Sequence, residues 1–169
     1  EYELSTTDFD TAFLQSFVWG DGRLMLIKYW DIFEEKWVYE WINGVIYGDQ
    51  RGGCDWHKTL SYRMAQELGF KECYNMESIY YHEEKGTTVP CHVDDPLVKA
   101  KPDDQKWFHE NINKMFDTKG RNYLRPGSDL DYLSMRISTN KAGDIILDNQ
   151  LKIEKYLGDM GLTECNPTQ

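Results

Sequence analysis

The chain of 169 residues is long enough to bury the core of one domain. Its six Trp, eleven Tyr and seven Phe supply too much apolar area for a disordered segment. A net charge of −10 counts against non-specific grip on duplex nucleic acid, and no apolar run approaches the roughly 20 residues of a membrane helix.

In chain order, Tyr2 to Phe9 (YELSTTDF) alternates weakly and reads as a strand with Asp8 at its C-terminal end. DTAFLQSFV follows as a short helical or irregular segment. RLMLIKYW and KWVYEWINGVIYG are rich in β-branched and aromatic residues, as paired strands are. GDQRGG breaks that pattern with three glycines. In CDWHKTLSYRMAQELGF, residues Trp56, Leu60, Met64 and Leu68 form one apolar helical stripe, with Gly69 placed as the C-cap.

ESIYYHEE, KGTT and VPCHV then read as strand, turn and strand, and the pair Asp94–Asp95 falls at the next reversal. KPDDQKWFHENINKMFD predicts a helix capped by Asp103 or Asp104, with Trp107, Phe108, Ile112, Met115 and Phe116 on its buried side. LDYLSMRIS and GDIILD predict two more strands, and NQLKIEKYLGDMGL a closing helix. The predicted class is α+β: a ferredoxin-like split βαβ with an inserted β-ribbon and a C-terminal strand–helix extension. Residues 1–148 are read as one unit, and 149–169 as a helix and tail leading to a further region.

Cys54, Cys73, Cys91 and Cys165 form no C-x-x-C pair, so they are read as reduced thiols of an intracellular protein. The start at Glu1, inside a strand, suggests a fragment. His57, His82 and His109 read as solvated residues on amphipathic elements, and His92 as a strand residue.

The chemistry lies in the aspartates. If the first and third strands are neighbours, Asp8 meets Asp94 and Asp95 at one sheet edge. Three carboxylates gathered without a nearby Lys or Arg repel one another and take up protons. Mg²⁺ relieves that repulsion, being a hard ion that prefers oxygen, and two such ions suit phosphoryl transfer. The competing reading is a solvated acidic turn.

The ordered motifs resemble the palm and following region of reverse transcriptases from copia-type LTR retrotransposons. TTDFDTAFLQ is similar to the first catalytic block, and TTVPCHVDDPLV to the segment around YVDD. WVYEWINGVIYGDQRGGCDWHKTL resembles the block ending LYGLKQAPRAW. YLSMRIS and LKIEKYLGDMGLTECNPTQ resemble the downstream YFLGIEI strand and the helix and tail beyond it. The resemblance implies an RNA-directed DNA polymerase palm binding two Mg²⁺, or Mn²⁺, through Asp8, Asp94, Asp95 and the Phe9 carbonyl. It implies an RNA or DNA template-primer and a deoxynucleoside triphosphate as partners. Phe13 falls where the family keeps an aromatic gate against the ribose 2′-hydroxyl. The family glutamine near the nascent base pair falls at Arg51, with Gln50 one place early. The departures are the missing fingers segment, GDQRGGCDW for GLKQAPRAW, His92 for tyrosine, and Pro90 and Pro96 beside the acidic turn. They leave open a retired palm kept as a scaffold subunit among protein partners.

Overall fold

The computed structural model describes residues 2–17, 25–42 and 44–162. Cys165, the tail beyond Leu162 and the start of the first ribbon strand at Arg23 and Leu24 lie outside them.

β1 (Glu3–Phe9) is followed by a 3₁₀ turn at Ala12–Gln15 and by a two-stranded ribbon, β2 (Met25–Asp31) and β3 (Lys36–Ile42). Next come α1 (Gly52–Leu68), β4 (Lys71–Cys73), β5 (Met76–His82), β6 (Thr87–His92), β7 (Asp95–Ala100), α2 (Pro102–Met115) and β8 (Thr118–Tyr123). β9 (Leu130–Tyr132), β10 (Met135–Thr139), β11 (Ile145–Asp148) and α3 (Gln150–Asp159) close the chain. The class is mixed α+β. The main sheet runs β4-β5-β6-β7-β1-β8, with every neighbouring pair antiparallel. A three-stranded sheet, β11-β10-β9, and the ribbon are separate.

The α1 stripe is as predicted: Trp56, Leu60, Met64 and Leu68 are all buried, and Gly69 ends the helix at φ 74° with its amide on the Ala65 carbonyl. They share one core with Phe108 and Ile112 of α2 and with Phe9, Val89 and Val98 of the sheet. Each such side chain contributes roughly 1.5–3 kcal/mol by leaving water. The opposite sheet face carries a smaller cluster, in which Leu4 and Leu97 pack against Leu124, Leu130 and Ile137.

Several expectations change. α2 is entered through Lys101 with Pro102 in its first turn, and neither Asp103 nor Asp104 makes a cap hydrogen bond. Both acids instead sit in the first turn, where the helix dipole favours negative charge. The fourth strand beside β1 is not LDYLSMRIS but TKGRNY, an edge strand whose polar side chains show no apolar period. LDYLSMRIS is a hairpin, with Leu133 and Ser134 both at positive φ in its two-residue turn. The strand predicted to run from Lys36 to Gly48 stops at Ile42.

His109 is not solvated but fully buried. Its Nε2 lies 2.8 Å from Ser5 Oγ, and Ser5 Oγ donates to Gln105 Oε1. The Gln105 amide nitrogen donates to the carbonyls of Glu3 (2.9 Å) and Val98 (3.0 Å). Those carbonyls only accept, so the amide orientation is set, Ser5 must donate to Gln105, and His109 must donate through Nε2. Its Nδ1 is left buried without a hydrogen-bond partner. Burial, and then the Arg121 charge, push the His109 pKa down to about 4. This neutral chain of hydrogen bonds ties α2 to β1 and β7.

Cys54, Cys73 and Cys91 are free thiols. Among the described residues no helix is long and apolar enough to cross a membrane.

Candidate functional site

Side chains alternate across a strand, so β1 divides its residues between two environments. Ser5 and Phe9 face the helices. Asp8 therefore faces the other way, into a cleft of about 250 Å³ that Asp95, Asn122, Asp131 and Tyr132 also line. The β1–β7 register pairs Thr6 with Leu97. Carried two rungs on, it sets Asp8 opposite Asp95, and Phe9 opposite Asp94. The Phe9 amide indeed donates to the Asp94 carbonyl at 2.9 Å. Residues 85 and 87 positions apart in sequence thus meet at one strand end.

The turn joining β6 to β7 is held from three sides. Trp56 of α1 donates its indole N–H to the Val93 carbonyl at 2.6 Å. β1 supplies the Phe9 amide for Asp94. Tyr132 of β9 donates its hydroxyl to the Asp95 carbonyl at 3.1 Å. Three successive carbonyls are therefore fixed by three different elements, which pre-positions the two carboxylates. Val93 stands at φ 54° in the first central position of a two-residue turn between the paired residues His92 and Asp95. A β-branched residue there is strained by about 1–2 kcal/mol, so the three donors stabilise a turn its sequence disfavours. His92 ends β6, as expected of a strand residue.

The electrostatics are asymmetric. Desolvation, then the charges of Asp94 and Asp8, raise the Asp95 pKa, while His92 opposes them. On the far side of β1, Asp8 pairs in register with Lys119 of β8. The Lys119 ammonium stands 3.4 Å from Asp8 Oδ2 and 2.9 Å from Asp10 Oδ1. The three aspartates are therefore not without a basic neighbour: β8 brings Lys119 to Asp8. Among the described residues no cation makes an ion pair with Asp94 or Asp95. No three Asp, Glu, His or Cys side chains among them are gathered closely enough to enclose a metal ion. The donor set is chemically right for a hard divalent cation, but as placed Asp8 is turned to Lys119.

The other predicted site residues sit around the start of α1. Phe9 sends its ring into the core, leaving only its backbone for a ligand. Phe13 stacks at a tilt on Tyr47, ring centroids 5.0 Å apart, and packs on the core edge. Gln50 is exposed, and Arg51 precedes α1 at its N-cap position, its amide donating to Asp49 Oδ1 at 3.0 Å. Sequence reasoning missed Lys119, Asp131, Trp56 as a donor, and Tyr132. Lys119 stands beside Gly120 in a polar stretch that reads as a loop. Compared with protein-family models, curated proteins and solved structures, the chain matches none of them.

Proposed function

We propose that the chain is the palm of an RNA-directed DNA polymerase of the copia type, with its acidic cleft as the nucleotidyl-transfer centre. The observation that carries this reading is the cross-strand placement of Asp8 opposite Asp95 in a cleft on the sheet face away from the helices, with Asp94 next to Asp95 in the turn. The order β6-β7-β1-β8, with α1 and α2 as crossovers, is also that of a ferredoxin-like split βαβ. The raised Asp95 pKa supports it too, because crowded carboxylates that hold protons are what a divalent ion relieves.

Asp8, Asp94, Asp95 and the Phe9 carbonyl would hold the ions. Bound there, two Mg²⁺ or Mn²⁺ ions supply charge neutralisation and polarise phosphoryl oxygens during in-line transfer. Trp56, Phe9 and Tyr132 hold the turn so that its carboxylates need no reordering. Lys119 must release Asp8 as the site fills, and its freed ammonium is then available to a phosphate oxygen.

The test is a thermal melt with and without Mn²⁺. At a concentration 100 times the Kd, binding to the native state adds about 2.7 kcal/mol, or roughly 5–10 °C in Tm for a chain of this size. Asp94→Asn and Asp95→Asn should each remove that rise, and a template-primer assay should lose extension in step. A wild-type melt that ignores Mn²⁺ at millimolar concentration refutes the reading.

A second reading has its own observation. Lys119 already pairs with Asp8 and Asp10, as a palm retained only as a folded scaffold would allow. In that case Asp94→Asn changes neither the melt with Mn²⁺ nor any assembly the chain forms.

A further inference from the structure

The two faces of the β2–β3 ribbon are unlike. Register pairs Leu26 with Trp41, Lys28 with Tyr39 and Trp30 with Trp37, and cross-strand partners share a face. All six are exposed, and the four aromatics and Leu26 retain 47–64% of their surface. On the reverse face Met25, Ile27, Val38 and Ile42 are half-buried. The ribbon thus has one face partly covered and one open, and four of the six residues on the open face are aromatic. Trp30 meets Trp37 edge-on, ring centroids 5.5 Å apart. The only charge on this face is Lys28, whose ammonium stands 4.4 Å from the Trp37 ring centroid and 5.5 Å from that of Tyr39.

A lone two-stranded ribbon is marginal in water, and an open apolar face of this size marks an interaction surface. We propose that this face is the contact between two copies of the chain, stacked ribbon on ribbon about a twofold axis. Area and charge argue for that occupant. An aromatic residue carries roughly 150–250 Å² of surface, so at about half exposure the five apolar side chains present on the order of 500–600 Å². Two copies then bury on the order of 1,100 Å² together, which clears the roughly 1,000 Å² that a specific interface needs.

Phe33, at the ribbon tip, is 99% exposed. The face is self-complementary: each Lys28 trades water for the rings of the facing copy, a favourable cation–π exchange. Nucleic acid fits less well. The one cation of this face, Lys28, already lies against the Trp37 and Tyr39 rings, and a single lysine neutralises few phosphates.

Sedimentation equilibrium over about 1–200 μM tests the proposal. An interface at the lower end of the specific range predicts a weak dimer, with a Kd on the order of 10 μM. Trp37→Glu with Trp41→Glu should weaken it at least about tenfold with unchanged circular dichroism. The single change Trp41→Lys gives a milder check should the double variant fold poorly. Leu147→Glu, at another exposed apolar position, should leave the equilibrium alone. A chain that stays monomeric throughout overturns the proposal, and so does a dimer that ignores the ribbon changes. Micromolar quenching of ribbon tryptophans by a single-stranded RNA oligonucleotide, with no dimer, assigns the face to nucleic acid instead and also overturns it. None of these outcomes depends on metal binding.

Discussion

Protonation of His109 should cost the fold about 2 kcal/mol by pH 5. The group has no exposed surface, and its pKa falls from 6.5 to about 4 through burial, with Arg121 adding to the effect. A base whose folded pKa is depressed stabilises the native state fully above its unfolded pKa and loses that contribution as pH falls through the folded value. The window here is therefore pH 6.5 down to about 4. Each displaced pH unit is worth about 1.4 kcal/mol, so the whole loss approaches about 3 kcal/mol, with about 2 kcal/mol already gone at pH 5.

The geometry gives the same sign. Nε2 already donates to Ser5, so an added proton goes to Nδ1, where the structure offers no acceptor. Urea unfolding at pH 7.5 and pH 5.0 measures the loss for the wild type and for His109→Gln, which keeps a donor for Ser5. Glu72, whose pKa is lowered through its hydrogen bonds to Ser78 and His57 against desolvation, also loses stability in acid. It does so equally in both proteins and cancels in the difference. Equal losses in the two proteins would refute the reasoning, as would a His109 NMR titration centred above pH 6.

Asp95→Asn should raise Tm by a degree or two without divalent ions, about 0.5 kcal/mol, because its neighbours Asp94 and Asp8 disfavour its charge. A lower Tm would contradict the repulsion. Lys119→Met should tighten Mn²⁺ binding severalfold by freeing Asp8 and Asp10, which manganese EPR titration reads directly. Trp56→Phe should destabilise by about 1 kcal/mol, since the partly buried Val93 carbonyl loses its indole donor and keeps only the weak Cys91 thiol donor; denaturant unfolding measures it. Val93→Gly should stabilise by about 0.5–1 kcal/mol by relieving the positive φ, and an unchanged midpoint would show that the turn is not strained.

Much of the frame is written in local pattern. The α1 stripe from Trp56 to Leu68, the cap at Gly69 and the buried side of α2 follow from a period of 3.6 and one positive-φ glycine, both of which act within a few residues. The aspartates themselves are also visible in the sequence. Burial is not. His109 sits on a helix face that reads as polar, and its neutrality is decided by Ser5 and Gln105 closing a chain of hydrogen bonds around it. TKGRNY has no apolar alternation because an edge strand is paired on one side only, so it reads as loop. Yet that strand carries Lys119 to Asp8 across 111 positions, and thereby sets the charge of the cleft.

Local sequence determined the three helices and most of the strands, TKGRNY excepted, because hydrogen bonding and apolar periodicity operate over one or two turns. Only the packed sheet decided which carboxylates face each other and which cation stands beside Asp8. Register and strand order are properties of distant backbone pairing, and a shift of a single residue would send Asp8 into the core and Phe9 into the cleft.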